Sequence, residues 1–267
     1  MNILVCVKQV PDTTEIKIDP VKNTLIREGV PSIVNPFDGY ALEAAARIKD
    51  KNPDTKIVVL SMGPEQAKNA LKECLAIAAD KAYLVTDRAF GGSDTLATSY
   101  ILAETLKKIE ETEGHFDLIF CGKQAIDGDT AQVGPEIAEH LDYSQITYGL
   151  EAEIDNGELK VKKEVEEGVQ IITATLPCVV TFTKPAWDPR HATIKRKMAA
   201  NKAEIPNITA ADLPGINLTK TGLKGSPTRV KKTFVPAQKT GGVKIAEDTG
   251  AESAKKLFAI MNEAGII

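Results

Sequence analysis

The residues best suited to bind a ligand lie in the stretch CGKQAIDGDTAQVG, residues 121–134. It follows the apolar run DLIF and precedes PEIAEHL, whose spacing is that of a short amphipathic helix. Pro135 suits a first helical turn, because proline lacks the N–H group that this turn leaves unpaired. The backbone N–H groups of residues 130–134 are therefore predicted to bind phosphate oxygens, assisted by the helix dipole.

Other residues of this loop indicate which anion it binds. Gly122 and Gly128 allow a ligand to approach the backbone closely, or allow positive φ. Asp127 and Asp129 would repel a phosphate, so we expect them to bond ribose hydroxyls, an adenine amino group or backbone N–H groups. A nucleotide is the predicted ligand, and an ordinary loop before a capped helix is the alternative.

The common catalytic signatures are absent from the sequence. There is no GxxxxGKS/T, no GxGxxG after the first strand and no GxSxG. His115, His140 and His191 lack the spacing of metal ligands and are predicted to be structural or exposed. The four cysteines are far apart without a CxxC pair, which argues against disulfides and zinc and favours a reducing cytoplasm. We predict no catalytic side chain and no metal ligand.

Composition sets further limits. The chain has 267 residues, 43% hydrophobic and 26% charged, as in ordinary globular proteins. The net charge of −4 argues against a nucleic-acid binder. No apolar run is long enough to cross a bilayer, so no membrane insertion is expected. The start MNILVCVKQV predicts a strand rather than a signal peptide.

The elements that position the loop alternate between strand and helix. Helix starts are predicted at Asn35 (N-cap) with Pro36, at Gly63-Pro64, and at Ser93 or Asp94. Such alternation predicts an α/β fold, a parallel sheet flanked by helices in a Rossmann-like arrangement. Ligands of such sheets bind outside the carboxyl ends of the strands. The buried strands are predicted at 3–7, 56–62, 81–86 and 117–122.

The pattern changes in the second half of the chain. After His140, alternating runs and the turn Asn156-Gly157 predict a small antiparallel extension. After Lys184, residues 216–244 hold too little apolar surface for their own core, and a disordered tail is one interpretation. A capping box at 249–252 and an apolar stripe then predict an amphipathic helix. We therefore predict two parts: an α/β nucleotide-binding domain over 1–184, and a recognition loop with a C-terminal arm over 185–267.

Six motifs, in order, resemble the beta subunit of electron transfer flavoproteins across nearly the whole chain. GKQAIDGDTAQVG is similar to the family's nucleotide-binding motif GKQAID-D--Q-G. The other five are VKQVPDT, NPFDGYALEAA, SMGPEQA, LPCVVT and DPRHATIKRKMAANK. The resemblance implies a heterodimer in which the beta chain supplies a nucleotide-binding domain and an arm wrapped around the alpha subunit. The alpha subunit carries a FAD that exchanges electrons with dehydrogenases.

The resemblance also bears on which nucleotide is bound. Most of the family holds a structural AMP in the beta loop, usually written GKQAIDDD-NQTG, whereas an electron-bifurcating branch holds a second FAD. Here Gly128 replaces a bulkier acidic residue, Ala131 and Val133 replace Asn and Thr, and TDRAFGGSDT is similar to the bifurcating branch. The resemblance favours FAD, with AMP as the alternative. It implies hydride transfer from NADH, with electrons passed to the alpha-subunit FAD and an acyl-CoA dehydrogenase, and to ferredoxin or flavodoxin.

The predicted site combines these loops. In the matching recognition loop of the family, Thr193, Ile194 and Lys195 are the partner-docking residues, with Ile194 as the apolar anchor. The alternative is that Ile194 packs into its own domain. The predicted cofactor-binding residues are Cys6, Val7, Lys8, Asn35, Pro36, Phe37, Asp38, Met62, Gly63, Phe90, Gly91, Gly92, Asp94, Thr95, Gly122, Lys123, Gln124, Ala125, Ile126, Asp127, Gly128, Asp129, Thr130, Ala131, Gln132, Val133 and Gly134.

Two other classes of function were weighed. A stress-type ATP- or AMP-binding module also has strand–helix alternation, but such proteins end with their sheet and lack an arm of this length. A nucleic-acid patch is the second, but it lacks the interleaved aromatic residues that stack on bases, so a solvated or docking face is favoured. The patch would comprise Arg190, Lys195, Arg196, Lys197 and Lys202.

Overall fold

The computed structural model describes residues 1–12, 31–231 and 241–267. Two compact units, Met1–Lys231 and Lys232–Ile267, make up the chain. The last residue of the VKQVPDT motif and residues 232–240 of the predicted arm lie outside the described residues.

The strands at the centre of the first unit are short and buried along most of their length. They are β1 (Asn2–Cys6), β2 (Gln9–Pro11), β3 (Ser32–Val34), β4 (Lys56–Met62), β5 (Lys81–Val85), β6 (Leu118–Gly122), β7 (Ser144–Asp155), β8 (Glu158–Val165), β9 (Gly168–Ala174), β10 (Cys178–Phe182) and β11 (Asn207–Ile208).

A nine-stranded sheet forms the centre of the first unit, with the order β11-β5-β4-β1-β6-β10-β7-β8-β9. The pairs from β11 to β7 are parallel, whereas β7, β8 and β9 pair antiparallel. A separate antiparallel pair joins β2 to β3. The predicted α/β fold with a small antiparallel extension is therefore confirmed, and it places β1 and β6 side by side at its centre.

Helices cover both faces of the sheet. Leu42, Ile48 and Leu71, which lie on the first two helices, belong to one apolar core. Ile101 and Ile137, which lie on the next two helices, belong to the other core. This two-layered burial explains why the central strands are apolar along their whole length. The helices are α1 (Pro36–Lys51), α2 (Lys68–Ile77), α3 (Thr95–Glu113), α4 (Val133–Leu141), α5 (Ile194–Lys202), α6 (Gly222–Gly225) and α7 (Gly250–Glu263).

The hairpin between β7 and β8 turns at Asn156-Gly157, with φ of 50° and 86°. Both residues thus adopt the left-handed conformation that this two-residue turn requires, as predicted. The alternating run 169–183 does not form one antiparallel stretch. Its first half is edge strand β9, while its second half, β10, lies between β6 and β7 in the parallel sheet. Continuous burial of Cys178–Phe182 is the feature that distinguishes the two halves.

The segment after α5 packs on the first unit. β11 pairs with β5 at the edge of the sheet, and Leu213 and Ser226 are buried. The first unit extends to Lys231. A few apolar residues of this segment complete the existing core, so the segment needs no core of its own.

The second unit contains helix α7. Its capping box forms as predicted: Thr249 Oγ1 accepts the N–H of Glu252, and the Glu252 carboxylate accepts the N–H of Thr249. Leu257 and Phe258 are exposed on this helix within its unit. Among the described residues, no helix is long and apolar enough to cross a membrane.

Candidate functional site

The loop of residues 122–134 begins where β6 ends, beside the carboxyl end of β1. Cys6 and Cys121 are register partners of these two strands, so both chain segments leave the sheet together. Helix α4 begins at Val133, with Pro135 in its first turn as predicted. The structure thus places the loop at the edge where ligands of parallel sheets bind.

Asn35 fixes the first half of the loop. It precedes α1 at the predicted capping position, but its side chain makes no bond to the first turn of the helix. Instead its Nδ2 donates to the carbonyl of Gln124 at 2.8 Å, and its Oδ1 accepts the N–H of Ile126 at 3.2 Å. The side chain is completely buried, and these two bonds hold the backbone of the loop.

Asp38 joins the two central strands at their ends. Its Oδ2 accepts the N–H of Lys8, 2.7 Å away, and its Oδ1 accepts the N–H of Gly122, 3.1 Å away. Burial raises the pKa of this carboxyl to about 7, although Asn35 and the N–H groups of Lys8 and Gly122 act in the opposite direction. Asp38 is therefore a buried support of the loop rather than a surface group.

The two acidic residues of the loop have partners within the protein. Asp127 accepts a hydrogen bond from Lys8 Nζ at 2.6 Å, and Asp129 accepts one from Gln124 Nε2 at 2.7 Å. These bonds hold both carboxylates in the first half of the loop. The second half, where α4 starts, remains the region that can accept an anion.

The second half of the loop has strained φ angles, which bring neighbouring backbone N–H groups together. Asp129 and Ala131 have φ of 51° and 54°, and Gln132 follows in the right-handed region. Successive left- and right-handed residues form a concavity of N–H groups that binds anions. In the described part of the chain, the N–H groups of residues 130–134 donate to no acceptor. A left-handed alanine costs about 1 kcal/mol, and such strain concentrates at functional sites.

The glycine turn before α3 lies near the loop but is covered on one side. Asp94 caps α3 by accepting the N–H of Ala97, and it also accepts the N–H and hydroxyl of Thr228. A side chain on Gly92, whose φ is 76°, would collide with Leu223. The turn is therefore held by residues 221–228, a contact that the sequence analysis did not predict.

Thr95 links the starts of α3 and α4. Its hydroxyl donates to Gln132 Oε1 at 3.0 Å and lies 3.3 Å from Glu136 Oε1. The glycine turn and the anion-accepting half of the loop are thereby held together. The predicted residues Gly91, Gly92 and Thr95 consequently belong to the same edge as the loop.

Some predicted cofactor residues lie below this edge. Val7 and Phe90 are buried in the two cores, and Cys6 is 9% exposed. Their side chains contact the sheet and its helices, so they can meet a ligand through the backbone alone. The N–H of Gly63 already donates to the carbonyl of Val85.

The predicted docking residues lie at the start of α5. Thr193 caps this helix by accepting the N–H of Arg196, and the side chain of Ile194 is 82% exposed. The alternative that Ile194 packs into its own domain is therefore wrong. Met198, one turn further along the same face, is 61% exposed. Sequence reasoning missed Met198, although its i, i+4 spacing from Ile194 signals a shared helix face.

Two arginines fix the segment that leads into α5. Arg190 pairs with Glu43 at 2.7 Å and with Asp50 at 2.6 Å, both on α1. Arg196 donates to three backbone carbonyls at the end of α2, among them Leu75 at 3.0 Å. The segment predicted as an exposed loop is thus anchored to two helices while its apolar residues face outward.

Fold and loop together define a doubly wound α/β protein with an anion-accepting loop at the carboxyl ends of its central strands. The chain belongs to the electron transfer flavoprotein family, because the model of the electron transfer flavoprotein domain matches residues 22–213. Its relatives include proteins named as beta subunits of that family, so the predicted resemblance is confirmed. Membership implies an alpha subunit as partner, and it decides against the stress-type module.

Three relatives illustrate the match. The electron transfer flavoprotein subunit beta of Megasphaera elsdenii is 52% identical over 256 residues, covering 95% of this chain and 94% of that protein. Subunit CarD of the caffeyl-CoA reductase-Etf complex of Acetobacterium woodii is 47% identical over the full length of both chains. Protein FixA of Azorhizobium caulinodans is 44% identical, covering 95% of this chain and 92% of that protein.

Proposed function

We propose that this beta subunit binds FAD in the loop of residues 122–134 and works in an electron-bifurcating electron transfer flavoprotein. The observation that carries the proposal is the strained run of N–H groups around Ala131, directly before α4. Such a run can hold the pyrophosphate of a dinucleotide without any cationic side chain. The full-length likeness to a subunit of a caffeyl-CoA reductase-Etf complex also supports this role.

Space at the loop favours a dinucleotide over a mononucleotide. A Cβ on Gly128 would meet no atom within 4 Å. Ala131 and Val133 add little bulk to the same stretch, so a ligand extending beyond one phosphate meets no large side chain of these three positions. AMP in the same loop is the alternative, and the content of the purified protein distinguishes the two.

The chain's own residues then bind and orient the cofactor. When bound, FAD supplies the redox chemistry, taking hydride from NADH and passing electrons to the alpha-subunit FAD, then an acyl-CoA dehydrogenase, and to ferredoxin or flavodoxin. Asn35 and Asp38 hold the loop backbone, and Thr95 joins it to α3. No side chain acts as acid or base in this proposal, and the second unit serves as the arm for the alpha subunit.

The test is the nucleotide content of the co-purified heterodimer. We expect two FAD per heterodimer, whereas Gly128→Glu is expected to retain one, because it sets a negative charge beside the phosphates. Open space at Gly128 allows the variant to fold. Gly128→Gln, of equal size but neutral, is the matched control and separates charge from bulk. One FAD with one AMP in the unmodified protein would refute the FAD assignment, and full flavin content in Gly128→Glu would refute the loop assignment.

We further propose that Ile194 anchors the complex with the acyl-CoA dehydrogenase. An exposed aliphatic side chain beside Lys195 and Lys197 suits a transient interface with a small apolar centre and a charged rim. Ile194→Ala is expected to weaken the apparent affinity for the dehydrogenase by about 30-fold, which corresponds to the loss of a hot-spot residue. Its melting temperature and flavin content should not change, because the side chain is 82% exposed.

Ile171 on β9, which is 59% exposed, provides a matched control for this experiment. Ile171→Ala removes the same atoms from another surface, so its electron transfer to the dehydrogenase should equal that of the unmodified protein. Equal loss in both variants, or normal transfer in Ile194→Ala, would contradict the docking role. The measurement is the rate of dehydrogenase reduction at several dehydrogenase concentrations.

A further inference from the structure

Two buried polar side chains connect three segments beneath the candidate cofactor loop. Asn35 is completely buried and Asp38 is 6% exposed. Both side chains bond the backbone of the loop, Asn35 at Gln124 and Ile126 and Asp38 at Gly122. These residues can therefore influence a ligand through the geometry of the loop.

The carboxylate of Asp38 is surrounded by hydrogen-bond donors. Lys8 N–H donates to one oxygen and Gly122 N–H donates to the other. Asn35 also lowers the pKa of this carboxyl. Ionised aspartate can accept both bonds, because it has acceptor sites only. A protonated carboxyl would direct its O–H towards one of these donors and would break that bond.

The packing of Asp38 is tight on the side of β6. A Cβ on Gly122 would fall 2.7 Å from the Asp38 backbone nitrogen and closer still to its carboxylate. The backbone of Gly122 therefore lies directly against the first turn of α1. Loss of its bond to Asp38 removes a contact that holds the first residue of the loop in this place.

Few charges face this carboxyl among the described residues. From the segment after β1, Lys8 lowers its pKa through its N–H group and its ammonium charge, and that ammonium also pairs with Asp127. From α2 and β6, the thiols of Cys74 and Cys121 face it. Burial raises the pKa of Cys74, and a hydrogen bond with Cys6 together with burial raises that of Cys121, so both thiols stay neutral near pH 7.

We propose that Asp38 is a positioning residue for the cofactor loop, and that its ionised form is required to hold the loop in the geometry that binds the nucleotide. The inference rests on the proposed binding of a nucleotide by this loop. With a pKa of about 7, Asp38 changes charge in the neutral range. Below that value the protonated carboxyl releases a strand end, so the affinity for the nucleotide falls. Above it both bonds form, so the affinity is full.

FAD is the appropriate probe, because its two phosphate groups stay fully ionised between pH 6 and 8. For the full-length chain, FAD affinity is expected to be roughly tenfold weaker at pH 6 than at pH 8, the effect of one lost buried hydrogen bond. In Asp38→Asn, an amide NH₂ group replaces one carboxylate oxygen and faces a backbone N–H donor. It cannot accept that hydrogen bond at any pH. It is therefore expected to bind about tenfold weaker than the unmodified chain at pH 8, and equally at pH 6.

Asp80 offers a matched control at the opposite edge of the sheet. Its carboxylate accepts the N–H of Ile57 at 2.8 Å, so it also supports a strand end. Asp80→Asn should leave the FAD affinity and its pH profile unchanged. A constant ratio between Asp38→Asn and the unmodified chain at both pH values would reveal a merely structural role and overturn the inference. Failure of the unmodified chain to bind FAD or AMP at all would refute the proposed function, and the inference with it.

Discussion

Replacing Gly122 by alanine is expected to lower the free energy of unfolding by about 3 kcal/mol and to abolish nucleotide binding. The added methyl group would lie 2.7 Å from the backbone nitrogen of Asp38 and 2.7 Å from the carbonyl carbon of Phe37. Both atoms belong to the first turn of α1, whose backbone is packed on the sheet. The clash cannot be relieved by rotating a side chain, so α1 or the end of β6 must move.

The same displacement removes the support of the loop. Gly122 N–H donates to Asp38, and Asn35, one residue before α1, holds Gln124 and Ile126. Denaturant unfolding followed by circular dichroism measures the stability, and FAD titration of the folded fraction measures binding. A Gly122→Ala variant with unchanged stability and FAD affinity would contradict the close contact between the first turn of α1 and the end of β6.

Gly39 gives a matched control on the same helix. A Cβ at Gly39 would meet no atom within 4 Å, and alanine favours a helix over glycine by about 1 kcal/mol. Gly39→Ala should therefore raise stability, although it adds the same methyl group four residues from Asn35. Combining both changes keeps more of the Gly122→Ala protein folded, so its FAD affinity can be measured separately from its stability.

The features that sequence could predict are those with local causes. Buried strands, the loop after β6 and the cap at Asp94 follow from apolar runs, turn residues and helix starts within a few positions. The role of Asn35 and Asp38 could not be predicted this way. Their partners Gly122, Gln124 and Ile126 lie 84 to 91 residues further along the chain. The two segments meet because β1 and β6 are neighbours in the sheet.

The second half of the chain shows the same distinction. Residues 207–208 carry almost no pattern of their own, yet they pair with β5 because that edge of the sheet is open to them. Arg190 was predicted as part of a basic patch on a solvated or docking face. Its ion pairs with Glu43 and Asp50 form because residue 190 lies beside α1 in the fold. The sequence pattern does not show that these distant segments are in contact.

Removing the carboxylate of Glu113 is the second large effect we expect. Glu113 ends α3 with its side chain completely buried, and it pairs with Lys56 and Lys81 at the starts of β4 and β5. It also accepts a hydrogen bond from the Tyr83 hydroxyl. Burial alone would raise the pKa of Glu113, but these hydrogen bonds more than offset it and lower the pKa to about 2. Glu113→Gln should cost about 3 kcal/mol of stability at pH 7.

The pH dependence of stability tests the same group with a defined sign. The ordinary pKa of 4.5 falls to about 2 in the folded chain, so the unfolded chain takes up the proton first as the pH falls. The stability that Glu113 provides, about 3 kcal/mol, is therefore full above about pH 5 and is lost between pH 5 and pH 2. Glu111→Gln, on the same helix but exposed, should change stability by less than about 0.5 kcal/mol. The difference in unfolding free energy between Glu113→Gln and the unmodified chain should be present at pH 7 and shrink as the pH falls. Equal free energies of unfolding at pH 7 would show that the buried ion pairs contribute no net stability.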